Sequence, residues 1–167
     1  EHASNTLPWF EVAKHTGAII KYIDLDEEGK VTLENVKKAV TEHTKIISLA
    51  QITNVLGHLA PIKEICNFAH EHDIIVCVDG AQSAPHHAVD VQDLDVDFFA
   101  FSGHKMCGPT GVGVLYGKYH LLEEMTPTRF GGGSNARYNS CGLVKLKNAP
   151  TKFETGTPNI EGVIGLG

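Results

Sequence analysis

Residues 98–111, Phe-Phe-Ala-Phe-Ser-Gly-His-Lys-Met-Cys-Gly-Pro-Thr-Gly, decide how this 167-residue chain is read. The apolar run 98–101 has neither helical nor alternating period and stops at Ser102-Gly103, just before Lys105. A second apolar run, 112–116, begins after the Gly-Pro-Thr-Gly turn. Short apolar runs bounded by turn residues read as strands buried on both faces. The two runs are too close for a crossover helix between them, so they pair antiparallel. Glycines at 103, 108 and 111 are read as conformations closed to other residues. Lys105 then sits on a tight loop at a strand end, close to the interior, where its amine can act as a nucleophile.

Working outward, the same alternation of apolar strand and helix recurs. Residues 6–15 suit a short helix, with Pro8 in its first turn and Gly17 as its stop. Residues 18–25 read as a strand and 26–29 as a turn. Thr32 caps a helix over 32–43, where Leu33, Val36 and Val40 recur at helical spacing. Residues 46–52 form a strand ending in Thr53-Asn54, and 62–72 a helix with Ile62, Ile65, Cys66 and Ala69 on one face. Residues 74–78 form a strand ending in Asp79-Gly80, and 91–95 a short acidic helix. Gly131 to Asn139 is the one long loop. Strands that are apolar throughout and alternate with helices imply an α/β fold: three layers, α/β/α, with a mainly parallel sheet and one antiparallel strand.

Composition excludes several classes. Hydrophobic residues at 42% and charged residues at 20% make a globular balance rather than a disordered one. A formal charge of −6 with no basic run argues against nucleic acid or an anionic membrane as partner. No apolar stretch reaches the roughly 20 residues that span a bilayer. The four cysteines form no C-x-x-C pair, and Cys66 and Cys77 lie within apolar patterns, so free thiols in a reducing, cytoplasmic setting are expected. Of ten histidines, His70 and His72 are two apart and share no helix face, and no metal is expected. The first residue is Glu1 and the last six stop inside an apolar run, which reads as an excerpt of a longer protein with exposed apolar surface.

In open parallel sheets, ligands bind beyond the carboxyl ends of the strands. Here those ends carry Thr53-Asn54, then Asp79-Gly80-Ala81-Gln82, then Ser102-Gly103-His104-Lys105. A lysine and a carboxylate on one rim suit pyridoxal phosphate, which needs an amine to hold it and an acid to keep its ring nitrogen protonated. The Gly103 backbone, the Ser102 hydroxyl and His104 supply candidate anion donors for its phosphate. The bland alternative is a structural Asp79–Lys105 salt bridge, which is costly beside apolar strands.

Val78-Asp-Gly-Ala-Gln82 and residues 101–116, Phe-Ser-Gly-His-Lys-Met-Cys-Gly-Pro-Thr-Gly-Val-Gly-Val-Leu-Tyr, resemble the cofactor strands of fold-type-I pyridoxal phosphate enzymes of the class V aminotransferase family. The likeness is to their cysteine desulfurase branch, of the SUF-system type. Glu1-His2, Asn54-Val-Leu-Gly57, Pro85-His-His87, Val89-Asp-Val91 and Glu154-Thr-Gly-Thr-Pro-Asn159 extend it over essentially the whole chain. The resemblance implies that residues 1–167 are part of the large cofactor domain, without its N-terminal part and the C-terminal small domain. It implies Lys105 as the lysine that anchors pyridoxal 5'-phosphate and moves the substrate's alpha proton. His2 would stack on the ring, Asp79 pair with its nitrogen and Gln82 bond its phenolic oxygen. Ser102 and His104 would bind the phosphate, and Thr157 the phosphate of the neighbouring subunit in a homodimer. Asn54 would face the carboxylate of the substrate, L-cysteine, whose sulfur passes through an enzyme persulfide to an acceptor protein for iron–sulfur cluster assembly. Without the resemblance, His2 reads as solvated, Thr157 as a turn residue before Pro158 and Asn54 as a loop cap.

Departures from the family pattern are Ala3-Ser4 after His2, Gln51 before Asn54, residues 134–139, and Cys107, which is read as a packing residue where an aromatic is usual. The nucleophilic cysteine and the substrate-gripping arginine are expected beyond Gly167, and the fragment alone is expected to be inactive with weak cofactor binding. The other readings are an aminotransferase or a kynureninase-like enzyme of the same family, or a non-catalytic truncated scaffold.

Overall fold

A computed structural model describes residues 2–167; Glu1, one of the residues carrying the family resemblance, lies outside the described residues. Four strands form one sheet in the order β1 (Ile46–Ala50), β2 (Ile75–Asp79), β3 (Phe98–Ser102) and β4 (Gly113–Gly117). β1, β2 and β3 run parallel, and β4 pairs antiparallel with β3, so the sheet expected from the apolar runs is the one that forms.

The strands' alternation sorts their side chains between two faces. Ile47 and Leu49, Val76 and Val78, and Phe99 project to one face, where they meet Val36 of α2 (Leu33–Ala39) and Ile62, Ile65, Cys66 and Ala69 of α3 (Ile62–His70). This is the main core. Thr32 caps α2, its hydroxyl accepting from Asn35 N at 3.2 Å. The other face is covered beside β1 by a 3-10 turn, Ala3–Asn5, which leads into α1 (Leu7–Thr16). Ser48 Oγ donates to Asn5 Oδ1 at 2.7 Å and ties that turn to the sheet. Gly17, at φ 74°, closes α1 in the left-handed conformation that glycine adopts at no steric cost.

Several elements differ from the sequence reading. Residues 18–25 join neither sheet: Ile20 and Ile23 turn inward three positions apart, whereas a ladder needs a period of two. Residues 91–95 make a single turn: Asp90 Oδ1 caps it by accepting from Gln92 N and Asp93 N, but Asp95 leaves at φ 55° and ends it. The loop 131–139 contains β5 (Asn135–Tyr138), which forms a hairpin with β6 (Val144–Leu146). Two helices were not foreseen, α4 (Tyr119–Glu124) and α5 (Ile160–Leu166). Apolar surface is exposed on α1 at Leu7, Phe10 and Val12 and on α5 at Ile160, Val163 and Ile164. Among the described residues no helix is long and apolar enough to cross a membrane.

At the amino ends of the strands an ion cluster locks α3 to β2, β3 and β4. Asp97, nearly buried, accepts from Val76 N at 2.8 Å, from Lys118 Nζ at 2.9 Å and contacts His70 Nε2 at 3.0 Å. Asp95 meets His70 Nδ1 at 3.0 Å and Lys118 Nζ at 2.7 Å. Burial alone would raise the Asp97 carboxyl, but the Val76 amide, Lys118 and His70 together hold it below its ordinary value of 3.8. A depressed carboxyl contributes stability above its unfolded pKa and loses it as pH falls through the folded one. Lys118 is raised above 10.5, its desolvation being outweighed by the two carboxylates, so its contribution is full below that value and is lost as pH rises through the folded one. Asp97→Asn is therefore expected to cost on the order of 1–3 kcal/mol at neutral pH, the range for hydrogen bonds to charged groups. Thermal melts of the variant should converge on the wild type as pH falls below 3.8 and through the lower folded value of Asp97; an equal loss at every pH would contradict the cluster's role.

Candidate active site at the carboxyl rim of the sheet

On the face away from the main core, alternation places Ser48 and Ala50 of β1, Cys77 and Asp79 of β2, and Ala100 and Ser102 of β3. Asp79 is in register with Ala50 on one side and Ala100 on the other. Two methyl-sized neighbours leave open room beside the carboxylate. Its Oδ1 accepts from Ala81 N at 2.9 Å, which orients the group at the end of β2. The chain then passes over β3: Gly80 N donates to Ala100 O at 2.8 Å, and a Cβ on Gly80 would lie 2.0 Å from Phe99 Cζ.

Gln82 follows on the turn whose Ala84 N donates to Gly80 O at 2.9 Å. From there its side-chain Nε2 donates to Asn54 Oδ1. Asn54 itself sits on the turn after β1, held by His58 N on Thr53 Oγ1 at 3.0 Å. Asp79, Gln82 and Asn54, drawn from two strand ends, thus share one rim.

The third strand end supplies the lysine. Ser102 closes β3, and a 3-10 turn, Gly103–Met106, carries His104 exposed and Lys105 half-buried. Gly103 N donates to Val112 O at 2.9 Å, so the backbone amide expected to bind an anion is already committed to the neighbouring strand. Of the three glycines read as conformationally special, only Gly111 has a positive φ, 76°. Gly103 and Gly108 are required for close packing instead, since a Cβ would meet Val112 Cγ1 at 2.9 Å and Leu166 Cδ1 at 2.8 Å respectively. Cys107 takes the left-handed position, φ 61°, and is exposed rather than packed, contrary to its reading as a packing residue.

Among the described residues Lys105 and Asp79 form no ion pair, with each other or with any other residue. The structural salt bridge is absent. The Ser102 hydroxyl and the His104 ring likewise have no hydrogen-bond partner among the described residues. An amine, a carboxylate, a hydroxyl and an imidazole held at one rim without satisfying one another suit an anionic ligand with a basic ring nitrogen.

The outlying residues are placed as follows. His2 is exposed, and its Nδ1 accepts from Ser4 N at 3.2 Å to cap the 3-10 turn lying on the Asp79 face of the sheet. Thr157 is exposed on the loop entering α5 and makes no hydrogen bond among the described residues. What sequence reading missed is the device beneath the lysine loop. Asn159 caps α5, accepting from Gly162 N at 3.0 Å, and its Nδ2 donates to Gly111 O at 3.4 Å. Leu166 of α5 then packs against Gly103 and Gly108. The Asn-x-x-Gly spacing was the available signal.

Burial pushes the Cys66 thiol up to about 12 and the Cys77 thiol up to about 11, with Asp97 adding to both. A thiol so raised is not a thiolate at pH 8. An alkylating reagent at that pH is expected to leave both unlabelled in the folded protein and to label them on denaturation; labelling of either at the rate of a free thiol would refute this.

The sequence model described as Aminotransferase class-V matches residues 1–167. The chain is 53% identical to a probable cysteine desulfurase of Halalkalibacterium halodurans over all of this chain and 41% of that protein. It is 44% identical to a cysteine desulfurase of Haloferax volcanii over 99% of this chain and 39% of the relative. It superposes on the crystal structure of the cysteine desulfurase CsdA (S-sulfonic acid) from Escherichia coli with a TM-score of 0.96 at 44% identity, covering 99% of this chain and 41% of that one. A more distant neighbour, SspA in complex with cysteine, gives a TM-score of 0.80 at 28% identity over 99% of this chain and 43% of that one. The 167 residues thus span about two fifths of the length of the proteins they match. With its whole length matched and its strands superposed on those of solved relatives, this chain belongs to the class-V aminotransferase family.

Proposed function

We propose that the protein is a pyridoxal phosphate-dependent cysteine desulfurase, turning L-cysteine into L-alanine and a protein persulfide. The observation that carries this is Lys105 and Asp79 on one rim, neither paired with any other described residue, in a chain whose relatives are named cysteine desulfurases. The residues fit the cofactor: Lys105 would anchor it, Asp79 would hold its ring nitrogen protonated, and Gln82 would bond its phenolic oxygen. Ser102 and His104 would hold the phosphate, with Thr157 reaching the phosphate of the neighbouring subunit in a homodimer. His2 would stack on the ring. When bound, pyridoxal phosphate supplies the electron sink that stabilises charge at the substrate's alpha carbon.

Within this scheme Asn54 binds the substrate carboxylate, and Lys105 Nζ takes the alpha proton. A protein thiolate attacks the substrate sulfur, the carbon–sulfur bond breaks, and the carbon is protonated to give alanine. None of Cys66, Cys77, Cys107 or Cys141 is assigned as that thiol. We assign residues 1–167 to the large cofactor domain, inactive without the rest of the protein. We further place the protein in the cytoplasm, handing sulfur to an acceptor protein for iron–sulfur cluster assembly as the SUF-system enzymes do; four free thiols support a reducing compartment.

The test is to supply the complete protein with pyridoxal phosphate and L-cysteine and to measure alanine and persulfide. Equal amounts in the first turnover are expected. A 2-oxo acid in place of alanine would make it an aminotransferase or lyase and overturn the reading.

A further inference from the structure

His2 is exposed, yet three hydrogen bonds hold it. Its carbonyl oxygen accepts from Asn5 N at 2.9 Å and from Thr6 Oγ1 at 3.2 Å, and its ring Nδ1 accepts from Ser4 N at 3.2 Å. All three stay within the residues of the 3-10 turn Ala3–Asn5 and its two caps, so by themselves they do not fix that turn to the sheet. Asn5 supplies the join. Its Oδ1 accepts from Ser48 Oγ at 2.7 Å, 43 residues away in sequence, and from Trp9 Nε1 of α1 at 3.4 Å. Ser48 is in register with Cys77, two residues before Asp79, and so stands on the face of the sheet that carries Asp79.

The bond to the ring has a chemical consequence. A neutral imidazole has one nitrogen that accepts and one that carries a proton. With Nδ1 accepting from Ser4, the proton stands on Nε2, and a proton arriving at Nδ1 has to displace the Ser4 amide. The cap thus selects the neutral ring. Neutrality suits a ring that stacks on the cofactor, because Asp79 would hold the cofactor's ring nitrogen protonated, and two like charges repel. A free histidine side chain spreads over several rotamers, and ordering it on binding costs affinity. Here the ring is ordered beforehand.

We propose that Ser48 and Asn5 are positioning residues for His2: their bond seats the turn on the sheet, and the turn presents the His2 ring neutral, with its proton on Nε2, to the cofactor. This rests on the desulfurase reading, which gives His2 its stacking contact, and adds the residues that hold the ring for it. A strand hydroxyl and a turn amide then act through a ring to which neither is bonded.

The experiment is a double-substitution cycle in the complete protein loaded with pyridoxal phosphate, read as kcat for L-cysteine. Ser48→Ala removes the donor and is expected to lower kcat about three- to tenfold, the worth of one hydrogen bond, with KM unchanged. Asn5→Ala should lose at least as much, whereas Asn5→Asp keeps an oxygen for both donors and should retain most of the wild-type rate. In a His2→Ala background, Ser48→Ala should add no further loss. Losses that multiply, or an Asn5→Asp as impaired as Asn5→Ala, would overturn the proposal.

A second readout needs no cofactor. In the cofactor-free complete protein, in buffer alkaline enough to keep imidazole neutral, the ring-nitrogen NMR signals of His2 should show a bare Nδ1 and a protonated Nε2. Ser48→Ala should move both signals toward the average of the two neutral forms. A proton found on Nδ1, or signals that Ser48→Ala leaves unmoved, would also overturn the proposal. The two failures are distinguishable. If the wild type makes no alanine from L-cysteine, the desulfurase reading falls while the ring signals still decide the tie. If the wild type is active and the losses multiply, the positioning role alone falls.

Discussion

Lys105→Ala in the complete protein is expected to abolish cofactor that borohydride can trap and to lower cysteine turnover by at least about 10³-fold, the scale for removing a residue that serves as both nucleophile and base. The reason lies in where the lysine is held. It sits on a 3-10 turn closed by Gly103 N on Val112 O at 2.9 Å and Gly108 N on Gly103 O at 3.0 Å, so its backbone is fixed on both sides. Its amine has no partner among the described residues, and no other described residue at the rim offers a second amine. His104 is adjacent but exposed, and an imidazole forms no comparable covalent link to an aldehyde. The fold should be untouched, because removing the half-buried side chain leaves both loop-closing bonds in place. Equal melting temperatures with lost trapping would therefore assign the defect to the amine. A variant that kept trappable cofactor and full turnover would remove Lys105 from the chemistry.

How much of this was legible beforehand depends on what fixes each element. The four-stranded sheet was readable because residues 46–50, 75–79 and 98–102 are short, apolar and bounded by turns, and because too few residues separate β3 from β4 for a crossover. The segment 18–25 carries the same local signal and forms no strand: a strand depends on a neighbour, and composition does not report one. The turn at 91–95 failed as a longer helix for a local reason: Asp95 leaves at φ 55°, which ends the segment after one turn although Asp90 caps its start. The hairpin of β5 and β6 was hidden because its strands are only four and three residues long and mostly exposed, with no buried face to mark them out from a loop.

At the site, the strand-end rule gathered Asn54, Asp79, Gln82, Ser102, His104 and Lys105 before any coordinates, since each directly follows or ends an apolar run. It could not say which donors are already spent. Gly103 N is taken by Val112 O, a bond set by the β3–β4 pairing rather than by residue type. Nor could it find the Asn159 and Leu166 contacts beneath the lysine loop, which join positions 48 residues apart for Asn159 and Gly111. The Gln82–Asn54 bond was equally invisible, because its direction depends on which end of an amide faces which.

Gly80→Ala is expected to be the most damaging single methyl group that can be added to the rim. The new Cβ would lie 2.0 Å from Phe99 Cζ and 2.2 Å from Cε1, far inside contact distance. Phe99 is 2% exposed and belongs to the main core, so its ring has no space to retreat into. Overpacking of a filled core typically costs about 1–3 kcal/mol, and a clash this deep against a ring that cannot move belongs at or above the upper end. The backbone is the only part able to give, and it carries Asp79 on one side and Gln82 on the other. Loss of stability and loss of turnover should therefore appear together, unlike in Lys105→Ala. Gly132→Ala is the control: its Cβ would meet nothing within 4 Å, and its melting temperature should match the wild type. Phe99→Leu introduced with Gly80→Ala should recover part of the lost stability, since a smaller side chain vacates the position the methyl needs. If Gly80→Ala melts within a degree of the wild type, or if Phe99→Leu deepens its loss by the full cost it has alone, then Gly80 is not held small by the ring, and close packing of β2 over β3 does not set where Asp79 and Gln82 stand.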